Sequence, residues 1–290
     1  MTVLIVFLSI MQFATPVALA SLGETIGQRS GVLNIGLEGL MLTAAYVAVV
    51  VSGSTGSPWM GLLAGSLAAL ILGMIQALFT VVFSADQVVA GTAVNLVGLG
   101  LTGTLFDFGM AAGIQYSGVP GIPRLGENLD IVVLSVPLLF VLGSLALYRT
   151  QWGLAVRACG EHPPTVESIG FSVIRLRLQA QAVTCLLAGL GGAYLSLGIA
   201  PAFAENMTVG RGFIALALVT FGRWKPLWVM VAPLLIGFLD WSQLVMQGRS
   251  DLPIQFFSAL PYVAALLVLV LVGKGTEAPE SLGVPLRKKS

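Results

Sequence analysis

The chain has 290 residues, of which 57% are hydrophobic and 9% are charged, and its formal net charge is +1. Soluble domains carry roughly 25% charged residues, so this composition and the mean hydropathy of +0.95 exclude a soluble globular protein and favour a chain that lies in a lipid bilayer. The basic residues are dispersed over several loops, which argues against a nucleic-acid partner. Two cysteines, Cys159 and Cys185, fit neither a disulfide framework nor a metal site.

Residues 3–22 form the first predicted membrane span, with about the ~20 apolar residues that a crossing helix needs. No Lys or Arg precedes Arg29, so we interpret this stretch as a retained span and not as a cleaved signal peptide. A glycine-rich polar turn leads to a second span at 36–51. Glu38 lies just inside that span and is either a functional group or the partner of a residue such as Arg29. Asn34 is expected to cap the span.

Seven more apolar stretches follow, and two of them contain polar residues at depth. They cover residues 59–83, 88–108, 131–148, 178–200, 212–221, 227–246 and 254–272. Asn95 in the fourth span and Asp240 in the eighth need partners, either on a neighbouring helix or in a polar substrate. The stretch 212–221 is too short to cross alone. It therefore predicts a broken or re-entrant segment that lines a pathway.

The stretch 149–177, RTQWGLAVRACGEHPPTVESIGFSVIRLR, is the only long polar interruption between two apolar blocks. It contains four of the 14 Lys and Arg residues, and a conspicuous basic loop marks the cytoplasmic side of a membrane protein. Its helical pattern is broken by Pro163, Pro164 and Gly170. We expect one or two short helices outside the bilayer.

Nine crossings with the N terminus outside and the C terminus in the cytoplasm give a strong charge bias. Eleven basic residues are then cytoplasmic and three are external, as the positive-inside rule requires. The cytoplasmic set is Arg29, Arg149, Arg157, Arg175, Arg177, Arg223, Lys225, Lys274, Arg287, Lys288 and Lys289, and the external set is Arg124, Arg211 and Arg249. The last of the cytoplasmic segments is a basic tail, residues 273–290.

The motifs present exclude several kinds of chemistry. The chain has no GxxxxGK[ST] phosphate-binding loop, so we expect it not to hydrolyse ATP. A single histidine, His162, excludes HExxH and other His-rich metal sites. No Gly-x-Ser-x-Gly elbow supports a membrane-embedded protease. Transport is the remaining function, and glycine-rich broken elements with polar residues at depth suit a polar pathway.

Five stretches, in order, resemble the permeases of ATP-binding cassette (ABC) importers for ribose, branched-chain amino acids and nucleosides, especially the nucleoside branch. They are LGETIGQRSGVLNIGLEGLMLTAAYVA at 22–48 and the segments 86–102, 152–173, 188–198 and 207–227. The resemblance covers most of the chain. It implies an all-α polytopic membrane protein with a fold like that of type II ABC-importer permeases, and a single transmembrane permease domain over residues 1–290.

The resemblance also implies partners. The family's permeases pair as two membrane subunits. Because this chain resembles the nucleoside branch, the second subunit is expected to be a different, related chain. The paired subunits receive substrate from an extracytoplasmic binding protein or lipoprotein, and a partner ATPase subunit uses the ATP, so no cofactor is expected on this chain. The cytoplasmic loop 149–177 contains the family's coupling segment. The residues implied in ATPase coupling are Arg157, Gly160, Glu161, Pro163, Glu167 and Gly170.

Two positions depart from the family's pattern. Gln28 stands where an acidic residue is usual, and Glu167 stands where an Arg is usual. The second departure puts in doubt any contact transferred to that position from the family. It is also what a partner surface of different charge would require.

The NIGLEG motif resembles nucleoside permeases, so nucleosides are the expected substrates. The residues expected along the pathway are Asn34, Glu38, Asn95 and Asp240. Two alternatives stay open. The same importer class could carry a sugar such as ribose or a ribityl vitamin such as riboflavin. A proton-coupled secondary transporter would instead use Glu38 and Asp240 as titrating groups.

Overall fold

The computed structural model describes residues 2–126, 129–247, 259–260, 262–264 and 277–285. These residues form eleven α-helices, two π-helical turns and one two-stranded ribbon. The helices are α1 Thr2–Arg29, α2 Leu37–Thr55, α3 Pro58–Ala77, α4 Gln87–Ala111, α5 Ile131–Arg149, α6 Gln151–Glu161, α7 Pro163–Ser168, α8 Val173–Tyr194, α9 Arg211–Phe221, α10 Pro226–Val229 and α11 Ala232–Gln247. The π turns, Leu78–Val82 and Leu195–Ile199, extend α3 and α8, and β1 Arg124–Gly126 pairs with β2 Leu129–Asp130.

The all-α polytopic architecture predicted from the sequence is confirmed. Within the described ranges seven stretches are long and apolar enough to cross a membrane: Val3–Arg29, Leu37–Thr55, Pro58–Val82, Gln87–Ala111, Ile131–Arg149, Val173–Ile199 and Pro226–Met246. They correspond to the first six predicted spans and the eighth. The seventh forms α9, whose 11 residues are about 16 Å long and too short to cross. The ninth, at 254–272, lies largely outside the described residues, so the count of nine is not established.

The first helix is longer than the sequence predicts. The expected polar turn after residue 22 is wrong, because α1 continues without a break to Arg29. This extra length packs on α8, and Gly23 makes the close approach. A Cβ at Gly23 would lie 2.9 Å from the Thr184 carbonyl oxygen. Tertiary packing therefore keeps as helix a segment whose glycines predict a turn.

The helices α1, α2 and α8 form the interior of the bundle, and α3, α4, α5 and α11 surround them. Of these, α8 packs on both α1 and α2, and α3 packs on α2 and α8, with Leu37, Met41 and Ala188 fully buried. The outer helices carry apolar side chains that are largely exposed, such as Ile71 at 65% and Leu96 at 71%. A bilayer covers such surfaces, as the composition requires.

Two short helices, α6 and α7, interrupt the series of spans between α5 and α8. They occupy most of the predicted polar loop. Ser172 follows them and caps α8, because its side chain accepts from the Arg175 N–H. The final five residues of that loop belong to α8. Arg177, among those five, is 1% exposed.

Candidate functional site

The segment 30–36 joins α1 to α2 without helical structure, and Asn34 is buried within it. The Asn34 backbone N–H donates to Glu24 Oε1 at 3.1 Å, and its side-chain amide donates to Gln181 Oε1 at 3.2 Å. Its side-chain oxygen accepts from the Gly36 N–H at 3.0 Å. Gly36 is itself the N-cap of α2, without a side-chain cap. The N-cap is thus Gly36 and not Asn34, although the Asn34 oxygen does accept from a backbone N–H at the start of α2. Asn34 also ties the turn to α1 and α8.

Glu38 lies in the first turn of α2 and bonds to the start of α9. One carboxylate oxygen accepts from Thr208 Oγ1 at 2.5 Å and from the Gly210 N–H at 2.7 Å, and the other accepts from the Gly212 N–H at 2.7 Å. A carboxylate at a helix N-terminus satisfies free N–H groups and interacts favourably with the helix dipole. Glu38 thus holds two helix starts together, and the expected pair with Arg29 is wrong.

Glycine allows the two helix starts to touch. A Cβ at Gly212 would lie 2.5 Å from the Glu38 nitrogen and 2.7 Å from the Glu38 Cα. On the other side of α2, a Cβ at Gly39 would lie 2.6 Å from the Val94 carbonyl oxygen of α4. Backbone therefore contacts the first turn of α2 from both sides, and no side chain separates the three helices there.

Asn95 attaches α4 to the start of α2. Its side-chain oxygen accepts from the Gly39 N–H at 2.8 Å, and its side-chain amide donates to the Ile35 carbonyl oxygen at 2.9 Å. Asn95 is half-buried. Both functional groups of the amide therefore bond to backbone of the protein, one to Gly39 of α2 and the other to Ile35 in the connection before it.

Asp240 pairs with Arg211, the first residue of α9. The distance from Arg211 Nη2 to Asp240 Oδ2 is 3.1 Å, and Asp240 is 9% exposed. A cavity of about 200 Å³ opens beside the pair, and Val209 and Tyr262 line it as well. Sequence reasoning allowed a partner for Asp240 on a neighbouring helix but did not identify Arg211, which it placed outside the membrane. The two residues lie 29 positions apart across α9 and α10.

We call Glu38, Arg211, Gly212 and Asp240 the α2–α9 cluster. It contains two carboxylates and one guanidinium, so the formal charge of its ionised side chains is −1. Helix starts that lie inside a bundle and line a cavity are a known construction for solute sites in membrane transporters. The cluster brings together two of the four predicted pathway residues, Glu38 and Asp240, while Asn34 and Asn95 hold the backbone on either side of it.

Gln28 shows why this chain departs from the family's usual acidic residue at that position. The Gln28 side-chain amide donates to Glu24 Oε1 at 2.9 Å, and its oxygen accepts from Trp224 Nε1 at 2.6 Å. Gln28 and Glu24 are both at most 1% exposed. A second carboxylate at position 28 would repel Glu24 in a buried site.

The base of the predicted coupling loop, residues 149–177, is fixed by three of the predicted coupling residues. Arg157 donates from Nε to the Leu147 carbonyl oxygen at 3.0 Å, and its guanidinium lies 4.7 Å from the centre of the Tyr148 ring. Gly160 packs on the end of α1, where a Cβ would lie 2.3 Å from the Arg29 carbonyl oxygen. Glu161 Oε1 lies 3.8 Å from Arg29 Nη1. These residues attach α6 to α1 and α5.

The tip of the loop, residues 167–171, is exposed. Pro163 starts α7, and Gly170 has a φ of +88°, a value that glycine adopts readily. Glu167 points from α7 into solvent. Sequence reasoning missed two apolar residues here: Ile169 is 66% exposed and Phe171 is 50% exposed. Their isolation within a polar loop was the available signal, because exposed apolar residues outside a membrane mark interaction surfaces.

The fold and the cluster define the class of protein: a polytopic membrane permease with helix starts inside its bundle and a short-helix loop outside it. The chain belongs to the family described as branched-chain amino acid transport system / permease component, whose model matches residues 6–272. It is therefore a multi-pass membrane component of a transport system.

Three relatives cover most of the chain. The guanosine ABC transporter permease protein NupQ of Bacillus subtilis is 33% identical, over 95% of this chain and 94% of its own. The nucleoside ABC transporter permease protein NupC of Lactococcus lactis subsp. cremoris is 32% identical, over 98% and 96%. The putative glucose ABC transporter permease protein TsgC13 of Haloferax volcanii is 35% identical, over 83% and 77%.

Proposed function

We propose that this chain is the permease subunit that passes nucleosides across the cytoplasmic membrane in an ABC importer. The observation that carries this proposal is the similarity to two permeases named for guanosine and for nucleosides, which extends over 95% and 98% of the chain. The five motifs that resemble the nucleoside branch support the same conclusion, since they lie in the same order across the fold.

The charges of the α2–α9 cluster support an uncharged polar solute. The cluster holds two carboxylates, Glu38 and Asp240, and one guanidinium, that of Arg211, which pairs with Asp240 at 3.1 Å. A phosphorylated nucleotide would meet excess negative charge there. A nucleoside carries hydroxyl and amide groups without a formal charge, so it can hydrogen-bond at such a site without that repulsion.

The energy for transport would come from a partner. In this proposal an ATPase subunit in the cytoplasm binds and hydrolyses ATP, and it docks on α6 and α7. This chain itself binds no nucleotide cofactor and acts as a transport subunit without an ATPase site. Its loop has the form that such docking needs, because α6 is fixed to the bundle while the tip at 167–171 is free to enter a groove on the ATPase. Short helices held in this way move as rigid bodies.

A second permease and an extracytoplasmic binding protein or lipoprotein would complete the assembly. The cavity beside Arg211 and Asp240 measures about 200 Å³, below the roughly 300–1,000 Å³ of pockets that enclose small ligands. A second permease, a different and related chain, would supply the rest of the wall. The binding protein would deliver the nucleoside from outside.

We infer an orientation with the N terminus outside and the C terminus in the cytoplasm. The supporting contacts join basic segments on one side of the bundle: Arg29 ends α1 and donates to the carbonyl oxygens of Trp224 and Arg223. Residues 277–285, which belong to the basic tail, contact α6. With the coupling loop in the cytoplasm, the tail lies there too.

A sugar is the second candidate substrate, because one relative of 35% identity is named for glucose. The proton-coupled alternative has less support. The relatives are named as ABC transporters, and Glu38 already accepts three hydrogen bonds within the protein.

The test is uptake of labelled guanosine by cells with and without the gene. Each measurement is repeated with excess unlabelled nucleosides, ribose or glucose, and with a protonophore at constant ATP. We expect uptake that requires the gene, that only nucleosides reduce, and that persists with the protonophore. Competition by ribose or glucose would favour the sugar alternative, and collapse with the protonophore would favour the secondary transporter.

A further inference from the structure

The described residues near the C terminus, 277–285, form a compact turn against the cytoplasmic side of the bundle. Ser281 lies at its centre and is 9% exposed. The Ser281 N–H donates to the Gly160 carbonyl oxygen at 2.9 Å, and its hydroxyl lies 2.6 Å from the same oxygen and 3.2 Å from the Cys159 carbonyl oxygen. We call residues 279–284 the strap. It is bonded to the last turn of α6, the longer helix of the coupling loop.

The strap also contacts the segment that leads into α2. The Gly283 N–H donates to the Gly31 carbonyl oxygen at 3.2 Å, and Gly283 has a φ of +77°, which favours glycine. Gly31 begins the non-helical connection whose far end is Gly36, the N-cap of α2. One short piece of chain therefore touches both the coupling loop and the connection to the α2–α9 cluster.

Arg177 joins these contacts from beneath. It is 1% exposed, and it donates from Nε to the Ser30 carbonyl oxygen at 3.1 Å. Its Nη1 and Nη2 donate to the Val284 carbonyl oxygen and to the Ser281 hydroxyl, at 3.4 and 3.3 Å. No carboxylate pairs with Arg177 among the residues that the structure describes. A buried guanidinium without a carboxylate depends on these oxygens to satisfy its donors.

We propose that Arg177 and Ser281 are positioning residues for energy coupling, because they tie α6 to the connection between α1 and α2 through the strap. When the ATPase moves α6 and α7, the strap carries that movement to residues 30–36 and so to the start of α2. The inference rests on the proposed function, since it requires a partner ATPase. It goes beyond that function by assigning a role to the C-terminal segment and to two residues outside α6, α7 and the cluster.

The first test compares uptake with ATP hydrolysis in the assembled importer. The variants are Ser281→Ala and a truncation before residue 277, and the matched control is Ser54→Ala, whose exposed hydroxyl bonds only to Val51 within its own helix. We expect Ser281→Ala to lower guanosine imported per ATP hydrolysed by about fivefold, as for the loss of one hydrogen bond. The truncation should lower it further. Hydrolysis itself should continue.

An unchanged ratio in Ser281→Ala would overturn the proposal. If the truncated chain does not assemble, the ratio in Ser281→Ala decides alone. A fall in hydrolysis and uptake together, at a constant ratio, would also contradict the proposal, because it would make the strap only a support for ATPase docking. If the wild-type importer does not import guanosine, the proposed substrate fails, and the second test still addresses the strap.

The second test needs no substrate. Cys159 is fully buried beside Arg177, burial raises the pKa of its thiol, and Arg177 opposes that shift. Cys159 lies next to the strap, because the Ser281 hydroxyl is 3.2 Å from the Cys159 carbonyl oxygen. A maleimide should label Cys159 slowly in the wild type and at least about tenfold faster in the truncated chain, since access and thiolate fraction control the rate. Cys185, equally buried in α8, is the internal control. Equal labelling of Cys159 in both chains would overturn the seating of the strap.

Discussion

The α2–α9 cluster and the coupling loop use polar residues in opposite ways. In the cluster, both carboxylates bond to groups of the same chain: Glu38 accepts from two backbone N–H groups, and Asp240 pairs with Arg211. The backbones of α2 and α9 also touch there, at Gly212. In the loop, Arg157 is used in the same inward way at the base, but Glu167 and the rest of the tip at 167–171 face solvent.

This difference shows which side chains have both a structural role and a proposed functional role. A side chain in the cluster determines the positions of helix starts and, in the proposed function, would also form the surface that a solute meets, so a change there alters geometry before it alters chemistry. Among the residues that the structure describes, no hydrogen bond or ion pair involves the side chains of Glu167, Ile169 and Phe171 at the loop tip. Their replacement should affect only the contact with another protein.

The largest effect is expected for Gly212→Ala. The added Cβ would lie 2.5 Å from the Glu38 nitrogen and 2.7 Å from the Glu38 Cα, and these backbone atoms cannot rotate away. Overpacking of this kind costs about 1–3 kcal/mol or more. We expect guanosine uptake to fall by up to about 100-fold, since about 3 kcal/mol is two factors of ten at ~1.4 kcal/mol each. The matched control is Gly100→Ala in α4, where a Cβ meets nothing within 4 Å. Equal uptake by the two variants would show that the helix starts do not need their contact.

Glu38→Gln should have the next largest effect. The amide keeps one acceptor, but its NH₂ group would face an N–H or hydroxyl donor at the start of α9. Loss of a buried, charge-assisted hydrogen bond costs about 1.5–3 kcal/mol, which corresponds to about 10–100-fold in uptake per molecule in the membrane. Glu205→Gln, at an exposed residue of the loop before α9, is the control. Normal uptake by Glu38→Gln would remove its capping role from the mechanism.

A double change at the loop tip, Ile169→Ser with Phe171→Ser, separates the two regions. These side chains are 66% and 50% exposed, so the bundle should assemble as before. Complete burial of such a group is worth roughly 1.5–3 kcal/mol, so covering the exposed part of both side chains is worth about 1.5–3 kcal/mol in total. We expect about tenfold less ATPase to co-purify with the permease. Retention of the ATPase at the wild-type level would place the docking surface elsewhere.

Asp240→Asn should reduce uptake by about tenfold without loss of assembly, because it leaves the Arg211 guanidinium without a counter-charge in a mostly buried site. A double variant, Asp240→Asn with Arg211→Gln, should recover part of that loss. The cycle of single and double variants measures the coupling between the two side chains. Strictly additive losses would mean that the ion pair does not contribute to transport.

Glu167→Gln should have the smallest effect, about twofold in ATPase affinity, because exposed ion pairs are worth about 0–1 kcal/mol. The change should also reduce the salt dependence of ATPase binding, since screening acts on exposed charges. An effect larger than that of the Ile169 and Phe171 change would show that the partner recognises charge here and not apolar surface.

The sequence predicts the membrane-spanning helices and the short or broken segments better than it predicts the partners of buried polar side chains. Hydropathy identified the first six spans and the eighth, and the short stretch before Gly222 became α9. The glycine-rich turn predicted before the second span is present at residues 30–36, although it begins later than expected. Composition and local periodicity suffice for such features, because they depend on residues that are neighbours in the chain.

The partners of the buried polar groups were beyond that reasoning. Glu38 bonds to Gly212, 174 residues later, and Arg29 bonds to the Trp224 carbonyl oxygen, 195 residues later. Nothing local marks such pairs, since any buried carboxylate or guanidinium can use many partners. The predicted end of α1 was wrong for the same reason, because packing on α8, a distant segment of the chain, keeps the helix intact to Arg29.

The most direct test of the account is substrate protection of a thiol beside the α2–α9 cluster. Val209 lines the cavity with Arg211 and Asp240 and is 52% exposed, while both native cysteines are fully buried. In the assembled importer with its binding protein and ATP, a Val209→Cys variant should react with a polar thiol reagent several-fold more slowly when guanosine is present, and at an unchanged rate with glucose. A rate that guanosine does not alter would contradict the claim that nucleosides pass this cluster.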